Sequence, residues 1–424
     1  MFFFIQDFNK FIFWFLTIAY GYQLFYLAYA LFSKNKCLPT PAKRLHRYGV
    51  VVAARNESSV IGELIQNIKH QKYPSKLVDV FVVADNCTDD TAEVARRAGA
   101  IVYERFDRQL VGKGYALDYL FKRILEDHRS AGYEAFFIFD ADNLIDPSFI
   151  SEMNKVFDRG YRVITSYRNS KNFATNWITA GYSLWFLREA RFLNHPRMCF
   201  KTSCAVSGTG FLISADIIQR NNGWNYHLLT EDIEFSVDCA LRHETIGYCP
   251  TAVIYDEQPE TFQQSWIQRL RWSKGFYQVT RNYGGSLIRG VFQKNRFALS
   301  CYDMLLTIAP ATLLTLFCVC VNAMILFVCF VEPPLFVGRI VRIAANSLLF
   351  TVVNFYLIIF LFGAVTPVTE WRQIAAPAHK KLLYLFTFPV FIFTYIPISI
   401  CALLQKVEWK PISHSVVKTL NEVQ

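Results

Sequence analysis

The chain has 424 residues, a net charge of +10, 53% hydrophobic residues and a mean hydropathy of +0.21. It is too apolar for most soluble enzymes and too long for one small core, so a membrane portion joined to a folded domain is expected. The basic balance comes without zinc-ligand spacing or a nucleic-acid fold signature, which points to anionic lipid headgroups and a nucleotide diphosphate as partners, with no nucleic acid.

Residues 11–32 form an apolar run long enough to span a bilayer, which takes about 20 residues. Lys34, Lys36, Lys43, Arg44 and Arg47 follow it, place the next segment in the cytoplasm and set residues 1–35 apart as a transmembrane unit. No small-residue cleavage site follows the run, so it is not expected to be a signal peptide. From 45 to 256 the composition is mixed, as in a cytosolic domain. Strands are expected at 48–53, 78–84, 100–103 and 134–139, and helices at 60–70, 89–98 and 115–126. Strands alternating with helices predict an α/β fold with a doubly wound, mostly parallel sheet, whose ligands sit beyond the carboxyl ends of the strands.

Residues 257–300 mix Trp, Arg and Lys with apolar positions, as helices on a membrane surface do. Apolar runs at 304–331, 344–365 and 382–404 make 301–405 a transmembrane region, with an interfacial linker at 366–381 and a basic cytosolic tail at 406–424. Three full spans would leave that tail outside, so 382–404, which carries Pro389 and Pro397, is expected to be re-entrant or interfacial. Eleven cysteines show no CxxC pair and no secreted spacing, which fits a reduced compartment.

Several carboxylates stand at strand ends. Asp140 and Asp142 follow the apolar Phe136-Phe137-Ile138-Phe139 and are spaced to chelate one Mg²⁺ or Mn²⁺ while leaving positions open for phosphate oxygens. The plain alternative is a solvated loop. Asp85 ends the second strand, where an acid accepts from a base N–H or a ribose hydroxyl; Glu57, after the first strand, faces the same nucleotide or simply opens a helix. Lys113, between Gly112 and Gly114 at a helix start, suits an anion, although the full phosphate-loop spacing is absent. Cys204 to Gly210 reads as a small-residue turn that lets backbone approach a ligand. In Thr230-Glu231-Asp232 a carboxylate is placed to deprotonate a sugar hydroxyl, with Glu231 beside it counted among the substrate contacts. Gln268, Arg271 and Trp272 offer an amide, a planar cation for a diphosphate and a flat face for a sugar, or else an interfacial belt.

In this order Asp85, Asp140-Ala141-Asp142, Thr230-Glu231-Asp232 and Gln268-Arg269-Leu270-Arg271-Trp272 resemble the D, DxD, TED and QxxRW signatures of processive, membrane-integrated family 2 glycosyltransferases, such as cellulose, hyaluronan and poly-N-acetylglucosamine synthases. The resemblance covers about residues 47–280. It implies a GT-A nucleotide-diphospho-sugar transferase fold, a UDP-sugar donor and Mg²⁺ or Mn²⁺. It assigns Asp85 and Glu57 to the nucleoside, Asp140 and Asp142 to the metal and diphosphate, and Lys113 to the phosphate charge. Asp232 becomes the general base, with Gln268, Arg271 and Trp272 framing donor and acceptor. The expected activity is processive, inverting elongation of a polysaccharide acceptor and its export across the plasma membrane, leaning to a β-glucan. A hyaluronan or poly-N-acetylglucosamine product, single transfer to a lipid carrier and an inactive scaffold are the alternatives. The cellulose synthase gating pattern FxVTxK is absent, and Trp409-Lys410-Pro411-Ile412-Ser413-His414 stands in a comparable position as a candidate gating segment. Asn322, Asn346 and Asn354, within apolar runs, either line a polymer path or bond helix to helix.

Overall fold

The computed structural model describes residues 2–33, 39–308, 317, 320–324, 327, 334–409 and 420–422. Its centre is an eight-stranded sheet formed by β1 (Tyr48–Ala54), β2 (Val78–Asp85), β3 (Ile101–Arg105), β4 (Ala135–Asp140), β5 (Leu144–Ile145), β6 (Val163–Ser170), β7 (Phe211–Ser214) and β8 (Ile246–Asp256). The spatial order is β3-β2-β1-β4-β7-β6-β8-β5. The β3-β2-β1-β4 half is parallel, β7 runs antiparallel to both β4 and β6, and β8 is parallel to β6. The sheet is therefore mixed, with its parallel half where the sequence places it. Val50, Val51 and Val52 of β1 are all fully buried. Successive strand residues point to opposite faces, so the sheet is covered on both sides, as parallel sheets are.

Helices Ile61–Lys69, Thr91–Arg97, Lys113–Asp127 and Phe149–Phe157 cover this core. The Trp177–Arg188 helix continues through six residues of π-helix, Glu189–Asn194, into the short His195–Cys199 helix. A single helix of 30 residues, Phe262–Val291, fills most of the segment expected to be interfacial.

Among the described residues, three helical stretches are long and apolar enough to cross a membrane: Asp7–Phe32, Val352–Thr369 and Ala378–Leu404. The last consists of two helices, Ala378–Phe393 and Tyr395–Leu404, that abut at Thr394. Most of the apolar run at 304–331 lies outside the described residues. Asn322 exchanges side-chain hydrogen bonds with Asn9 at 2.9 Å, and Asn354 donates to the Phe350 carbonyl of its own helix. The linker at 366–381 docks on the catalytic side: Tyr167 of β6 donates to Glu370 at 2.7 Å, Asn169 to the Gln373 carbonyl at 2.7 Å, and Ile374 joins the main core.

Close approaches fix the remaining helices to the sheet domain. A Cβ at Gly181 would lie 2.4 Å from the Phe391 ring, so the Trp177–Arg188 and Ala378–Phe393 helices meet at the backbone. Arg269, fully buried, donates to the Phe391 carbonyl at 3.1 Å and to Thr394 Oγ1 at 2.6 Å, where the two last helices abut. Arg197 grips both oxygens of Asp303, and Tyr22 of the first helix adds a hydrogen bond at 2.9 Å. Removing one member of a buried ion pair strands the other charge. Arg197→Met is therefore expected to lower stability by about 3–5 kcal/mol, and adding Asp303→Leu should recover much of the loss. Thermal unfolding of the full chain in detergent checks this, and a double variant no better than the single one contradicts it.

Candidate active site

The site grows from the sheet register. Ala53 pairs with Asp140 and Ala54 with Ala84, so β1, β2 and β4 end at one level and release Glu57, Asp85 and Asp140 along one edge. Asp85 is almost fully buried. Its Oδ1 accepts from Arg105 at 2.5 Å and from Asn86 at 3.1 Å, leaving Oδ2 for an incoming donor. Glu57 donates its backbone N–H to Thr91 Oγ1 at 2.8 Å, and its carbonyl accepts from Val60 and Ile61, so its backbone opens the Ile61–Lys69 helix.

Lys113 is the hub. Its Nζ donates to Asp140 Oδ1 at 2.5 Å and to the Gly208 carbonyl at 2.6 Å. The flanking glycines explain how it gets there. Gly112 has φ 140°, outside the range of ordinary side chains, and a Cβ at Gly114 would lie 2.1 Å from the Tyr226 carbonyl. Burial alone would lower the ammonium pKa, but the charges of Asp140, Glu231 and Asp232 outweigh it and hold Lys113 protonated. Asp140 is further fixed through its N–H, which donates to Asn143 Oδ1 and Thr209 Oγ1, both at 2.9 Å.

Asp232 stands across the Ser207–Gly210 turn: a Cβ at Gly208 would be 3.6 Å from its Oδ2. Glu231 and Asp232 open the Glu231–Leu241 helix. Burial, then repulsion by Asp232, pushes the Glu231 carboxyl up to about 7, against the pull of Lys113 and Arg271. Burial also raises Asp232 above the usual carboxylate range. The preceding Thr230 packs on the Phe262–Val291 helix, where a Cβ at Gly275 would meet its Oγ1 at 2.4 Å. That contact joins the acid pair to Gln268, Arg271 and Trp272. Trp272 packs edge to face against Tyr182 and Phe186 at 5.7 and 6.2 Å. Gln268 Oε1 and Arg271 Nε are buried without a hydrogen-bond partner among the described residues. Polar atoms left in that condition are costly and suit a ligand that satisfies them.

Asp142 is buried and accepts the Glu257 N–H at 2.9 Å. Among the described residues no group of three or more His, Cys, Asp or Glu side chains has metal-binding spacing. Two carboxylates from Asp140 and Asp142 do not make a zinc site or a calcium cage. They do fit Mg²⁺ or Mn²⁺, which use one or two carboxylates and complete their shell with water and phosphate.

Of three further residues at this edge, Arg168 and Asp256 carry no local signature in the sequence. Arg168 holds Asp256 through Nε at 2.9 Å, donates to the Ser207 carbonyl at 2.7 Å and lies 3.7 Å from the Phe186 ring centroid. Asp256, at the end of β8, is pushed up to about 6 by burial against the pull of Arg168, with Asp142 and Asp140 adding to the rise. Arg55, just past β1, lies 5.2 Å from the ring centroid of Trp409 and has a buried Nη1 without a hydrogen bond among the described residues. A basic residue after a strand end is the one signal the sequence offered for Arg55. The rest of the candidate gating segment, 410–414, lies outside the described residues.

Two substitutions probe this geometry. Gly275→Ala should displace Thr230 and cost at least about tenfold in activity, and because the methyl would meet the Cβ of that buried, β-branched residue at 2.9 Å it should also lower the melting temperature; parallel assays of turnover and melting temperature check it. Glu231 binds its proton more tightly in the folded protein than in the unfolded chain, so its contribution to stability is complete below its ordinary value near 4.5 and is lost as pH rises through about 7. Glu231→Gln should therefore raise the melting temperature at pH 8 and leave it unchanged at pH 4.

Comparison with known proteins agrees with this architecture. The model of the family described as "Glycosyltransferase like family 2" matches residues 46–275. A beta-monoglucosyldiacylglycerol synthase of Nostoc sp. is 26% identical over 252 residues, 57% of this chain and 51% of that protein. A poly-beta-1,6-N-acetyl-D-glucosamine synthase of Staphylococcus aureus is 25% identical over 286 residues, 63% of each chain. The chain thus spans about half to three-fifths of the length of these curated relatives. Among solved structures, the mannosyltransferase PcManGT from Pyrobaculum calidifontis, in complex with GDP-Man and Mn²⁺, superposes with a TM-score of 0.56 at 16% identity, over 92% of this chain and 96% of that one. This likeness identifies the sheet domain as a GT-A glycosyltransferase fold. With the family model matching more than half of its length, the chain belongs to glycosyltransferase family 2.

Proposed function

We propose that the chain is a metal-dependent, inverting glycosyltransferase that elongates a polysaccharide from a UDP-sugar at the cytosolic face of the plasma membrane and passes the product outward, with a β-glucan as the product favoured. The observation that carries the chemistry is the placement of Lys113 between Asp140 and the Gly208 turn, with Asp232 on the turn's other side. This arrangement supports reading the Lys113 side as the diphosphate site and Asp232 as the base. Mg²⁺ or Mn²⁺ would be held by Asp140 and Asp142 and would supply Lewis-acid stabilisation of the leaving diphosphate. The Mn²⁺ in the PcManGT complex is consistent with a divalent cation here.

Asp232 accepts the proton of an acceptor hydroxyl. The oxygen bonds to the anomeric carbon of the donor as the bond from that carbon to the diphosphate oxygen breaks. Lys113 and Arg271 receive the charge that develops on the diphosphate. Asp85 and Glu57 contact the nucleoside. Gln268 and Trp272 frame donor and acceptor together with Arg271, and Glu231 contacts the substrate beside Asp232. One displacement inverts the anomeric centre, and no covalent nucleophile is required.

A second reading is single transfer to a membrane lipid. The name of the Nostoc relative favours it, as does the packing of the Trp272 ring against Tyr182 and Phe186, which leaves less of its face for a sugar. Membrane vesicles given labelled UDP-glucose, UDP-N-acetylglucosamine or GDP-mannose discriminate the readings. A ladder of lengthening products supports elongation, and a single chloroform-soluble glycolipid overturns it. Asp232→Asn should lower transfer by about 10²–10⁴-fold with donor binding retained; unchanged transfer would remove Asp232 from the role of base. The wild-type rate should fall as pH drops below about 7, where the coupled Glu231 and Asp232 pair takes up protons. Chelation of divalent cations should abolish turnover, with recovery on adding Mn²⁺ or Mg²⁺.

A further inference from the structure

The Ser207–Gly210 turn lies between Lys113 and Asp232, and its shape is set by the groups that hold it. Gly208 and Gly210 have φ 79° and 66°, and glycine by itself favours no single backbone conformation. Lys113 holds the Gly208 carbonyl, Arg168 holds the Ser207 carbonyl at 2.7 Å, and Ser166 Oγ donates to the Gly210 carbonyl at 2.5 Å. The Gly210 N–H donates to the Ile138 carbonyl at 2.9 Å. These ties come from β4, β6 and the Lys113–Asp127 helix. One more comes from elsewhere: the Ser207 hydroxyl donates to Glu189 Oε1 at 2.7 Å.

Glu189 opens the π-helical turn Glu189–Asn194. Such turns are rare and frequent at functional sites. This one is tied on two sides. Glu189 reaches the catalytic turn, while Arg191 donates to the Ala30 carbonyl of the first helix at 2.9 Å and lies 3.5 Å from Glu370 of the linker. Glu189 therefore belongs to a segment that is anchored independently of the sheet. The Ser207–Glu189 bond borders a cavity of about 10 Å³, roughly one water, lined by both residues and by Ser166, Arg168 and Asn194. Packing there does not duplicate the bond, so losing the bond frees the turn to shift. Glu189 also supports the cation that grips the same turn: burial works against the charge of Arg168, and Asp256, with Asp140 and Glu189 behind it, outweighs burial.

We propose that Glu189 is a positioning residue for sugar transfer: through the Ser207 hydroxyl it fixes the Ser207–Gly210 turn, which keeps the Gly208 carbonyl on Lys113 with Asp232 on the turn's other side. Glu189 acts through Ser207 and not on donor or acceptor. A displaced turn changes the spacing between the cation and the base, and a misplacement of about 1 Å costs on the order of a hundredfold in rate. The role rests on reading Lys113 and Asp232 as the transfer machinery, and it holds for either acceptor.

The test measures kcat, donor KM and melting temperature of the full chain in detergent, with whichever of UDP-glucose, UDP-N-acetylglucosamine and GDP-mannose the wild type turns over. Ser207→Ala and Glu189→Ala should each lower kcat by about tenfold or more with donor KM little changed. The double variant should lose no more than either single one, because both remove the same bond. Glu189→Gln retains an acceptor oxygen for the hydroxyl and should keep most of the wild-type kcat. An unchanged kcat per folded molecule in Ser207→Ala, with only the melting temperature lowered, overturns the proposal, and so do losses that multiply in the double variant. Where Ser207→Ala does not fold, Glu189→Ala against Glu189→Gln decides, and equal kcat in the two overturns it. Asp232→Asn, assayed alongside, separates this role from the reading it rests on. Full transfer by that variant overturns the base, whereas its loss beside an unchanged kcat in Ser207→Ala overturns the positioning role alone.

Discussion

The structure depends on placing a buried ammonium among carboxylates. Asp140, Asp142, Glu231, Asp232 and Asp256 crowd the carboxyl edge of the sheet, and in a poorly hydrated site such a group would not stay ionised unaided. Lys113 and Arg168 supply the opposing charge from within, and Arg271 adds to it from the Phe262–Val291 helix. The backbone serves the same end. The glycines around Lys113 exist to bring its helix against Tyr226, and Gly208 brings the turn between the lysine and Asp232. The pocket is therefore electrostatically assembled before any ligand enters, which is the preorganisation that transfer of a charged leaving group rewards.

Much of this was legible in the sequence, for a definable reason. Parallel strands are continuous apolar runs, so β1, β2 and β4 announced themselves, and an acid after such a run falls at the ligand edge by topology. The later half of the sheet was not legible. β6 carries Thr, Ser, Arg and Asn within eight residues, and its register with β8 shifts between Ser166 and Tyr167, so neither pattern nor length marked it. Arg168 and Asp256 went unnoticed for the same cause: they pair across 88 positions, and no local spacing encodes a contact made by strand order. The glycine at 275 was readable only as a weak helix residue, because its purpose lies in Thr230 on another element.

The membrane-side helices are fastened to the catalytic domain by polar bonds at their ends. Arg269 satisfies a carbonyl where the last two helices abut, Lys274 Nζ donates to the Ala402 and Gln405 carbonyls at 2.9 Å, and Lys380 donates to Ala174 at 2.7 Å. Each cation takes carbonyls left open by a helix end or a turn. Because Arg269 and Lys274 lie on the same helix as Gln268, Arg271 and Trp272, that part of the helix and the final helix pair are tied together as one lever.

The contact of Gly181 with Phe391 gives that lever a sidedness. A helix backbone pressed against an aromatic ring leaves no passage for a hydrocarbon chain between the Trp177–Arg188 and Ala378–Phe393 helices. The two helices are held at one close spacing, so any side chain larger than hydrogen at position 181 would push the Ala378–Phe393 helix away from the sheet domain.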